Sequence, residues 1–433
     1  MKLIYLVLDG VADRPQDYMT SLEKANTPAL DSIAKSSKCG LMYTIGKGIA
    51  PESDAAVFSI LGYDPHKEYT GRGPIEAVGA GLGLKEGYEV AFRANFATVD
   101  PATLRIIDRR CGRTLESSEA KELAASVDGM ELGKYEGYAR VVATVGHRAV
   151  VIIGSRKYRL SDQVSNTDPA YEKKGYISIA RKEYEPYIAE AKPLEDTEEA
   201  RRTAELVNIF TRKVIEVLDK HPVNEKRRSE GKLPANAILL RDGGGRLPRV
   251  KPIRELFGRS FAAVAEMPVE IGIARILGMD VANVPPPTED KEKDYEERLA
   301  ATLSLLEDHD VVYVHLKGPD EPGHDGDFDR KVRAIELIDK YFVTPMLDEI
   351  NPEETAVLVT ADHATPWTVK AHTDDPVPVA LMVYGVEPDK NVRQFAERRC
   401  ARGSLGVIEH GWLLLPKVFS IIEEAERKRG GGR

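Results

Sequence analysis

Four short, well-separated stretches of the chain carry seven residues that could bind metal ions or phosphate. They supply three carboxylates, three imidazoles and one hydroxyl. Carboxylate and imidazole ligands suit Mn²⁺, Zn²⁺, Co²⁺ or Mg²⁺, and two ions roughly 3.5–4 Å apart are a recurrent device for displacement at phosphorus. The set predicts a two-metal phosphoryl-transfer site composed of Asp9, Ser53, Asp320, His324, Asp362, His363 and His372.

Short apolar runs precede most of these residues. Such runs are typical of strands that are buried on both faces of a parallel sheet, and helical patterns lie between them at 294–307 and 328–347. Ligands gather beyond the carboxyl ends of the strands in sheets of this kind, so we expect one common rim. The runs are 3–8 before Asp9, 237–240 before Arg241, 311–316 before Lys317 and Asp320, and 356–360 before Asp362.

Each piece also has an ordinary structural interpretation. Asp9-Gly10 is a strong turn pair, and Asp320 with His324 could be a capped helix start beside a surface histidine. His372 could be a loop histidine bonded to backbone. Ser53 begins a helical pattern as its predicted N-cap residue, a role that can coexist with that of nucleophile because a helix N-terminus and a coordinated metal both favour the alkoxide.

The length of 433 residues favours two domains. Residues 73–235 contain a glycine-rich start, alternating segments at 90–99 and 140–153, and a long charged helical pattern at 194–220, but no metal-ligand cluster. We therefore predict a metal and phosphoryl-transfer domain formed by 1–72 and 236–433, with 73–235 inserted as a substrate-binding lid domain.

Composition narrows the possible classes of protein. Hydrophobic residues at 42% with 30% charged residues are typical of a soluble globular protein, and no apolar run is long enough to span a bilayer. The net charge of −9 argues against general nucleic-acid binding. Three scattered cysteines and an N-terminus without a cleavage site favour the cytoplasm, while only three glutamines beside many Glu, Lys and Arg are typical of a thermophile. The sequence carries no signal for the oligomeric state.

Several longer motifs make the chain resemble a known family. It resembles the alkaline phosphatase superfamily and, within it, the archaeal-type 2,3-bisphosphoglycerate-independent phosphoglycerate mutases, with the motifs in family order along nearly the whole chain. Lys317 before Gly318-Pro319 differs mildly from the usual small residue. The motifs are Leu8-Asp9-Gly10, Glu52-Ser53-Asp54, Thr70-Gly71-Arg72-Gly73-Pro74, Phe92-Arg93-Ala94-Asn95-Phe96-Ala97, Gly231-Lys232-Leu233-Pro234-Ala235-Asn236, His315-Leu316-Lys317-Gly318-Pro319-Asp320 and Asp362-His363.

The resemblance implies a fold, a ligand set and a reaction. The fold would be an alkaline-phosphatase-like three-layer α/β sandwich with a mostly parallel sheet and an inserted smaller α/β domain. A phosphoryl group would pass from 3-phosphoglycerate to the serine and return to the 2-hydroxyl of retained glycerate, in glycolysis and gluconeogenesis, without a 2,3-bisphosphoglycerate primer. One ion would be held by Asp320, His324 and His372, and the other by Asp9, Ser53, Asp362 and His363.

A small phosphorylated substrate that also carries a carboxylate needs cations, and arginine binds both groups in bidentate fashion. A retaining transfer also needs glycerate kept in place and water excluded, which is the expected task of the lid. Asp168 could accept a proton from a glycerate hydroxyl, although a turn role is its ordinary interpretation. The predicted substrate-binding residues are Arg93, Asn95, Arg110, Arg113, His147, Arg148, Asp168, Lys232 and Lys317.

Three alternatives use the same residues differently. A metal-dependent phosphomonoesterase would let water attack the phosphoserine, and a large arginine-rich insertion favours the mutase over it. A kinase-like phosphotransferase would need a phosphate-binding loop, but 242–246 lacks the lysine and hydroxyl of such a loop. A non-catalytic metal-binding or phosphate-binding protein would fit better if Ser53 or a metal ligand were missing.

Overall fold

The computed structural model describes residues 1–181 and 183–430. These residues form two compact units. Unit 1 comprises Met1–Glu68, Val250–Glu266 and Ile273–Arg433, and unit 2 comprises Tyr69–Arg249 and Met267–Gly272.

Strands of both units form the sheets on which the functional side chains stand. In chain order they are β1 Lys2–Leu8, β2 Ser37–Met42, β3 Glu89–Val99, β4 Ile106–Asp108, β5 Met130–Glu131, β6 Gly137–Ala143, β7 Arg148–Ser155, β8 Tyr171–Lys174, β9 Ile177–Ala180, β10 Ala237–Gly244, β11 Phe261–Val264, β12 Asp280–Val281, β13 Val311–Leu316, β14 Thr355–Thr360, β15 Val377–Met382 and β16 Gly406–Ile408.

Helices connect and cover these strands. They are α1 Ser21–Lys24, α2 Pro28–Lys35, α3 Ser53–Ile60, α4 Pro65–Glu68, α5 Arg72–Gly79, α6 Ser117–Val127, α7 Glu198–Leu218, α8 Pro222–Ser229, α9 Ile253–Phe257, α10 Pro268–Ile276, α11 Lys291–Asp308, α12 Asp320–Asp325, α13 Phe328–Ile338, α14 Thr344–Glu349, α15 Glu397–Cys400 and α16 Leu414–Gly430, with short 3₁₀ turns at Cys111–Arg113 and Gly411–Leu413 and a π turn at Asp339–Val343. None of the described helices is both long and apolar enough to cross a bilayer.

Unit 1 is built on an eight-stranded sheet of order β12-β11-β13-β1-β14-β15-β2-β16. The first five strands in this order, from β12 to β14, are parallel to one another, and β2 is parallel to β16. Strand β15 runs antiparallel to both of its neighbours, β14 and β2. Every residue of β13 and β14 is buried, as continuous apolar runs predict for strands covered on both faces. The predicted α/β class with a mostly parallel sheet is confirmed.

The register of the central strands brings the ends of three chain segments to one edge. Val7 of β1 lies beside His315 of β13 and Thr360 of β14, and Leu8 lies beside Leu316. Since all three strands are parallel, the residues that follow them emerge at the same carboxyl edge. This register positions the functional residues of unit 1.

Unit 2 has an antiparallel sheet of order β10-β3-β7-β6-β5, with β4 pairing to β3 and the β8-β9 hairpin separate. Its core contains Phe92 and Phe96 from β3 and Phe210 from the amphipathic helix α7. The Thr197 side chain caps α7 by accepting a hydrogen bond from the Ala200 N–H at 3.2 Å.

The structure divides the chain differently from the predicted boundary after residue 235. Strand β10 pairs antiparallel with β3, so it belongs to the sheet of unit 2 and not to the sheet of unit 1. The prediction for 237–240 was wrong because an apolar run buried on both faces indicates a strand without specifying its sheet.

Candidate functional site

Asp9 and Gly10 form the turn that leaves β1. The Asp9 N–H donates to the Leu316 carbonyl at 3.0 Å, and the side chain is only 3% exposed. Gly10 has φ +59°, and a Cβ at this position would lie 2.6 Å from Oδ1 of Asp320. Only glycine therefore allows the chain to pass so close to the next carboxylate.

Ser53 is the first residue of α3, and Glu52 occupies the N-cap position. The predicted N-cap assignment of Ser53 was therefore wrong by one residue. Its Oγ lies 3.2 Å from Nε2 of His363. The hydroxyl thus contacts the imidazole of the site, at the positive end of the helix dipole.

Asp320 is the centre of a group of imidazoles. Nε2 of His324 and Nε2 of His372 each lie 3.5 Å from its Oδ1. One donor atom each from Asp320, His363 and His372 lies within 4.8 Å of the other two, which is a spacing suited to a shared ion. The rings of His363 and His372 stack with centroids 3.7 Å apart.

The Nδ1 atoms of these imidazoles are held by oxygen atoms outside the group. Such contacts orient a ring and leave the opposite nitrogen directed towards a ligand position. The Nδ1 contacts are His324 to the Lys370 carbonyl at 3.3 Å, His363 to Thr365 Oγ1 at 3.0 Å, and His372 to the Pro51 carbonyl at 2.8 Å.

A second group contains a residue that was absent from the predicted site. Donor atoms of Asp9, His315 and Asp362 lie within 4.8 Å of one another, and all three side chains are buried. His315 was missed because it stands inside the apolar run of β13, where it looked like a strand residue. The signal was available, since a polar side chain next to the end of a buried strand requires a partner.

Neighbouring groups of opposite charge shift the pKa values of His363 and Asp9 at this rim. Burial opposes charge on His363, yet the carboxylates of Asp362, Asp9 and Asp320 raise its pKa to about 9. Burial also opposes ionisation of Asp9, but Lys317, whose Nζ lies 3.0 Å from Oδ2, and the neighbouring imidazoles hold its pKa well below the ordinary value. Asp9 thus remains ionised and adds negative charge beside the imidazoles.

The donor set fits divalent cations. In the described part of the chain no hydrogen bond satisfies the buried Oδ1 of Asp9, which lies 3.4 Å from Nε2 of His363. A buried carboxylate oxygen without a bond is costly unless another positive partner binds it. Oxygen and imidazole nitrogen donors suit Mn²⁺, Zn²⁺, Co²⁺ or Mg²⁺.

The structure brings all seven predicted metal-binding and nucleophilic residues together in unit 1, along with Lys317. Their division between two ions stays a prediction. His363, which was assigned with Asp9 and Asp362, lies 3.4 Å from both of those carboxylates and also groups with Asp320 and His372.

Unit 2 gathers positive charge. Burial and the charges of Arg241 and Arg72 lower the pKa of Arg93 to about 9. Burial, Arg72 and other cations likewise lower the pKa of Arg148. Such lowering means that cations are crowded in a poorly hydrated place, which a bound anion would relieve.

The predicted residues His147, Arg110 and Arg113 belong to the same region. Burial and the charge of Arg148, with those of Arg110 and Arg113, lower the pKa of His147 to about 3, so its imidazole is neutral. Burial and Arg113 also lower the pKa of Arg110. The interaction of these groups supports a common cationic pocket.

Arg241 is a buried cation of this pocket that was not among the predicted site residues. Its side chain is 5% exposed and its guanidinium lies 4.0 Å from the ring centre of Tyr171. Nε and Nη1 make no hydrogen bond to any described residue, and Asp242 Oδ2 lies 3.9 Å from Nε. Arg241 was missed because the sequence analysis assigned β10 to the wrong sheet.

Three other predicted substrate-binding residues have different surroundings. Asp168 is buried and paired with Arg109, through contacts of 3.0 and 2.6 Å. Lys232 is half-exposed and paired with Glu230 at 2.9 Å. Asn95 is buried in β3. The substrate contacts of these residues stay predictions.

Known proteins resemble this chain along almost its full length. The family profile described as 2,3-bisphosphoglycerate-independent phosphoglycerate mutase matches residues 34–224. A protein of that name from Aeropyrum pernix is 50% identical over 426 residues, covering 98% of this chain and 100% of its own length. Another from Pyrobaculum aerophilum is 41% identical, covering 98% of each chain.

Two solved structures are also similar. The cofactor-independent phosphoglycerate mutase of Thermoplasma acidophilum has 31% sequence identity and a TM-score of 0.62, covering 98% of this chain and 100% of that chain. A Pyrococcus horikoshii protein has 30% identity and a TM-score of 0.76, covering 98% and 97% respectively.

Proposed function

Because the chain belongs to the 2,3-bisphosphoglycerate-independent phosphoglycerate mutase family, we propose that it interconverts 3-phosphoglycerate and 2-phosphoglycerate through a phosphoserine formed on Ser53. The observation that carries this proposal is the 3.2 Å contact of Ser53 Oγ with His363, inside a group of carboxylates and imidazoles. A serine hydroxyl placed among such donors has the means of activation that a nucleophile needs.

The reaction has two transfers. Ser53 Oγ forms a bond to phosphorus as the bond from phosphorus to the 3-oxygen breaks, and the serine proton is balanced by the proton that the glycerate 3-hydroxyl gains. The 2-hydroxyl of the retained glycerate then attacks the phosphoserine and restores the free serine. No 2,3-bisphosphoglycerate takes part.

Two divalent ions complete the proposed site. Asp320, His324 and His372 would hold one, and Asp9, Ser53, Asp362 and His363 would hold the other. When bound, such ions favour the serine alkoxide and neutralise phosphoryl oxygens. Lys317 would add a further positive charge beside Asp9, at 3.0 Å.

The cationic pocket of unit 2 would bind the anionic groups of phosphoglycerate. Arg241 supports this role because it is buried while two of its nitrogens lack bonds to the described residues. Arg93, Arg148 and the neutral His147 would complete the pocket, since arginine forks match carboxylate and phosphate oxygens. We place the activity in the cytoplasm, in glycolysis and gluconeogenesis.

Phosphorus NMR tests the proposal. Protein loaded with Mn²⁺, and then exchanged into diamagnetic Mg²⁺ or Zn²⁺, is mixed with 3-phosphoglycerate without 2,3-bisphosphoglycerate. We expect 2-phosphoglycerate with little free phosphate. Free phosphate as the main product would instead favour the metal-dependent phosphomonoesterase, in which water attacks the phosphoserine.

A further inference from the structure

His315 lies one residue before the end of β13, and the proposed reaction assigns it no role. Its side chain is fully buried, and its Nε2 lies 3.1 Å from Oδ2 of Asp362. An ionised carboxylate can only accept hydrogen bonds, so the imidazole must donate through Nε2–H. The bond joins His315 of β13 to Asp362, a proposed metal ligand that follows β14, and β1 lies between these two strands.

The other oxygen of Asp362 is also held. Its Oδ1 accepts the Gly10 N–H at 3.1 Å and the His363 N–H at 3.0 Å. Three donors therefore fix the plane of the carboxylate, two from the backbone and one from His315. Of these donors, only the imidazole can be removed by a side-chain substitution.

We infer that His315 is a positioning residue that presents Oδ2 of Asp362 to the metal ion held with Asp9. The inference rests on the proposed function in that Asp362 is taken as a metal ligand. Oδ2 keeps a second lone pair beyond the His315 bond, and the donor atoms of Asp9 and Asp362 lie within 4.8 Å of each other. A ligand whose orientation is fixed in advance binds its ion more tightly.

The location makes the effect selective. The group formed by Asp320, His363 and His372 has its own supporting bonds through Pro51 and Thr365. Loss of the His315 bond should therefore weaken the ion at Asp9 and Asp362 and leave the ion at Asp320 in place. A general disturbance of the fold would weaken both.

Calorimetric titration of the metal-stripped protein with Mn²⁺ alone tests this inference, with elemental analysis to count the bound ions. His315→Leu keeps much of the volume and removes the donor, whereas His315→Gln keeps an N–H. We expect His315→Leu to weaken one of two binding events about 10- to 100-fold, and His315→Gln to stay within a few-fold of wild type. The matched control Val314→Ala, on the opposite face of β13, should leave both events unchanged.

Three outcomes would overturn the positioning role. Unchanged affinities in His315→Leu would show that the bond does nothing for the ion, and equal weakening of both events would indicate general disturbance. If His315→Gln lost as much Mn²⁺ affinity as His315→Leu, the imidazole would be a metal ligand in its own right. That result would also overturn the role of His315 as a hydrogen-bond donor to Asp362. The Mn²⁺ titration contains no substrate. Free phosphate as the main product of the NMR experiment would therefore contradict the proposed function and leave this inference unaffected.

Discussion

Lys331 of unit 1 and Arg241 of unit 2 are both buried cations, yet their surroundings differ. The ammonium of Lys331 is fully buried and reaches Asp13 Oδ1 and the Thr365 carbonyl at 2.8 Å each. Arg241 is also buried, at 5% exposure, but its Nε and Nη1 make no hydrogen bond within the described residues. Burial alone therefore does not distinguish a structural charge from a functional one; the partners do.

The same contrast separates two carboxylates that lie close together after β1. Asp13 accepts bonds on both oxygens, from Lys331 and from the Ser21 N–H at 2.6 Å. Asp9 keeps one buried oxygen unsatisfied in the described part of the chain. A carboxylate whose two oxygens are both bonded within the chain stabilises the fold. Asp9 is paired with Lys317 through Oδ2, but its buried Oδ1 has no hydrogen bond in the described part of the chain and is available to a ligand.

Ser53→Ala should have the largest effect, because it removes the atom that carries the phosphoryl group. We expect turnover to fall by about 10⁴-fold or more, with folding and metal content largely retained. Turnover is measured by phosphorus NMR, metal content by elemental analysis and folding by circular dichroism.

Ser59 provides the matched control on the same helix. Its hydroxyl is buried and donates to the Thr44 carbonyl at 2.5 Å, so its partner belongs to the chain. Ser59→Ala should lose about 1 kcal/mol of unfolding free energy and keep its turnover. Near wild-type turnover in Ser53→Ala would contradict the phosphoserine mechanism.

Lys331→Met tests the structural side of the comparison. The substitution leaves the Asp13 charge buried without its cation, so we expect about 3–5 kcal/mol less unfolding free energy. Urea denaturation measures the loss. The double variant Asp13→Asn with Lys331→Met should recover part of it, and a single variant as stable as wild type would show that the ion pair contributes nothing net.

Glu397 is a buried carboxylate whose bonds come from uncharged donors, the Asp13 N–H and the Thr20 hydroxyl, both at 2.8 Å. Burial and the Asp13 charge raise its pKa from 4.5 to about 7. The folded state thus holds the proton more tightly than the unfolded state. The stabilisation is complete below pH 4.5 and is lost as the pH rises through 7, by about 3 kcal/mol.

Glu397→Gln should remove this pH dependence. We expect the variant to match wild type near pH 5 and to unfold at a higher temperature near pH 8, as measured by thermal scans at both values. Glu424→Gln, at an exposed position paired with Lys428, serves as the control and should follow wild type. A wild-type protein that is equally stable at both pH values would contradict the assignment.

Unit 1 was more predictable from sequence than unit 2. Parallel strands put their carboxyl ends on one edge, so the apolar runs before Asp9 and Asp362 were enough to predict that these residues meet. His315 was missed because it interrupts such a run from within. Arg241 was missed because a run does not reveal its sheet, which only the long-range pairing of β10 with β3 decides.

Arg241→Met tests the functional side of the comparison, with the outcome opposite to that of Lys331→Met. Nε and Nη1 of Arg241 make no hydrogen bond to the described residues, and its ion pair with Asp242 is long at 3.9 Å. Its removal should therefore leave the unfolding free energy unchanged or slightly raised, because a desolvated charge disappears. Loss of a charge-assisted contact to the substrate should raise KM about 10- to 100-fold. Steady-state kinetics with 3-phosphoglycerate and urea denaturation measure the two effects.

The matched control is Arg156→Met, since Arg156 is an exposed arginine of the same unit with its own partner, Glu131. Its KM should stay at the wild-type value. If Arg241→Met instead destabilised the fold as strongly as Lys331→Met and left KM unchanged, the Arg241 guanidinium would be a structural charge. The rule that missing hydrogen-bond partners mark a binding site would then fail at Arg241, the clearest example of such a residue in unit 2.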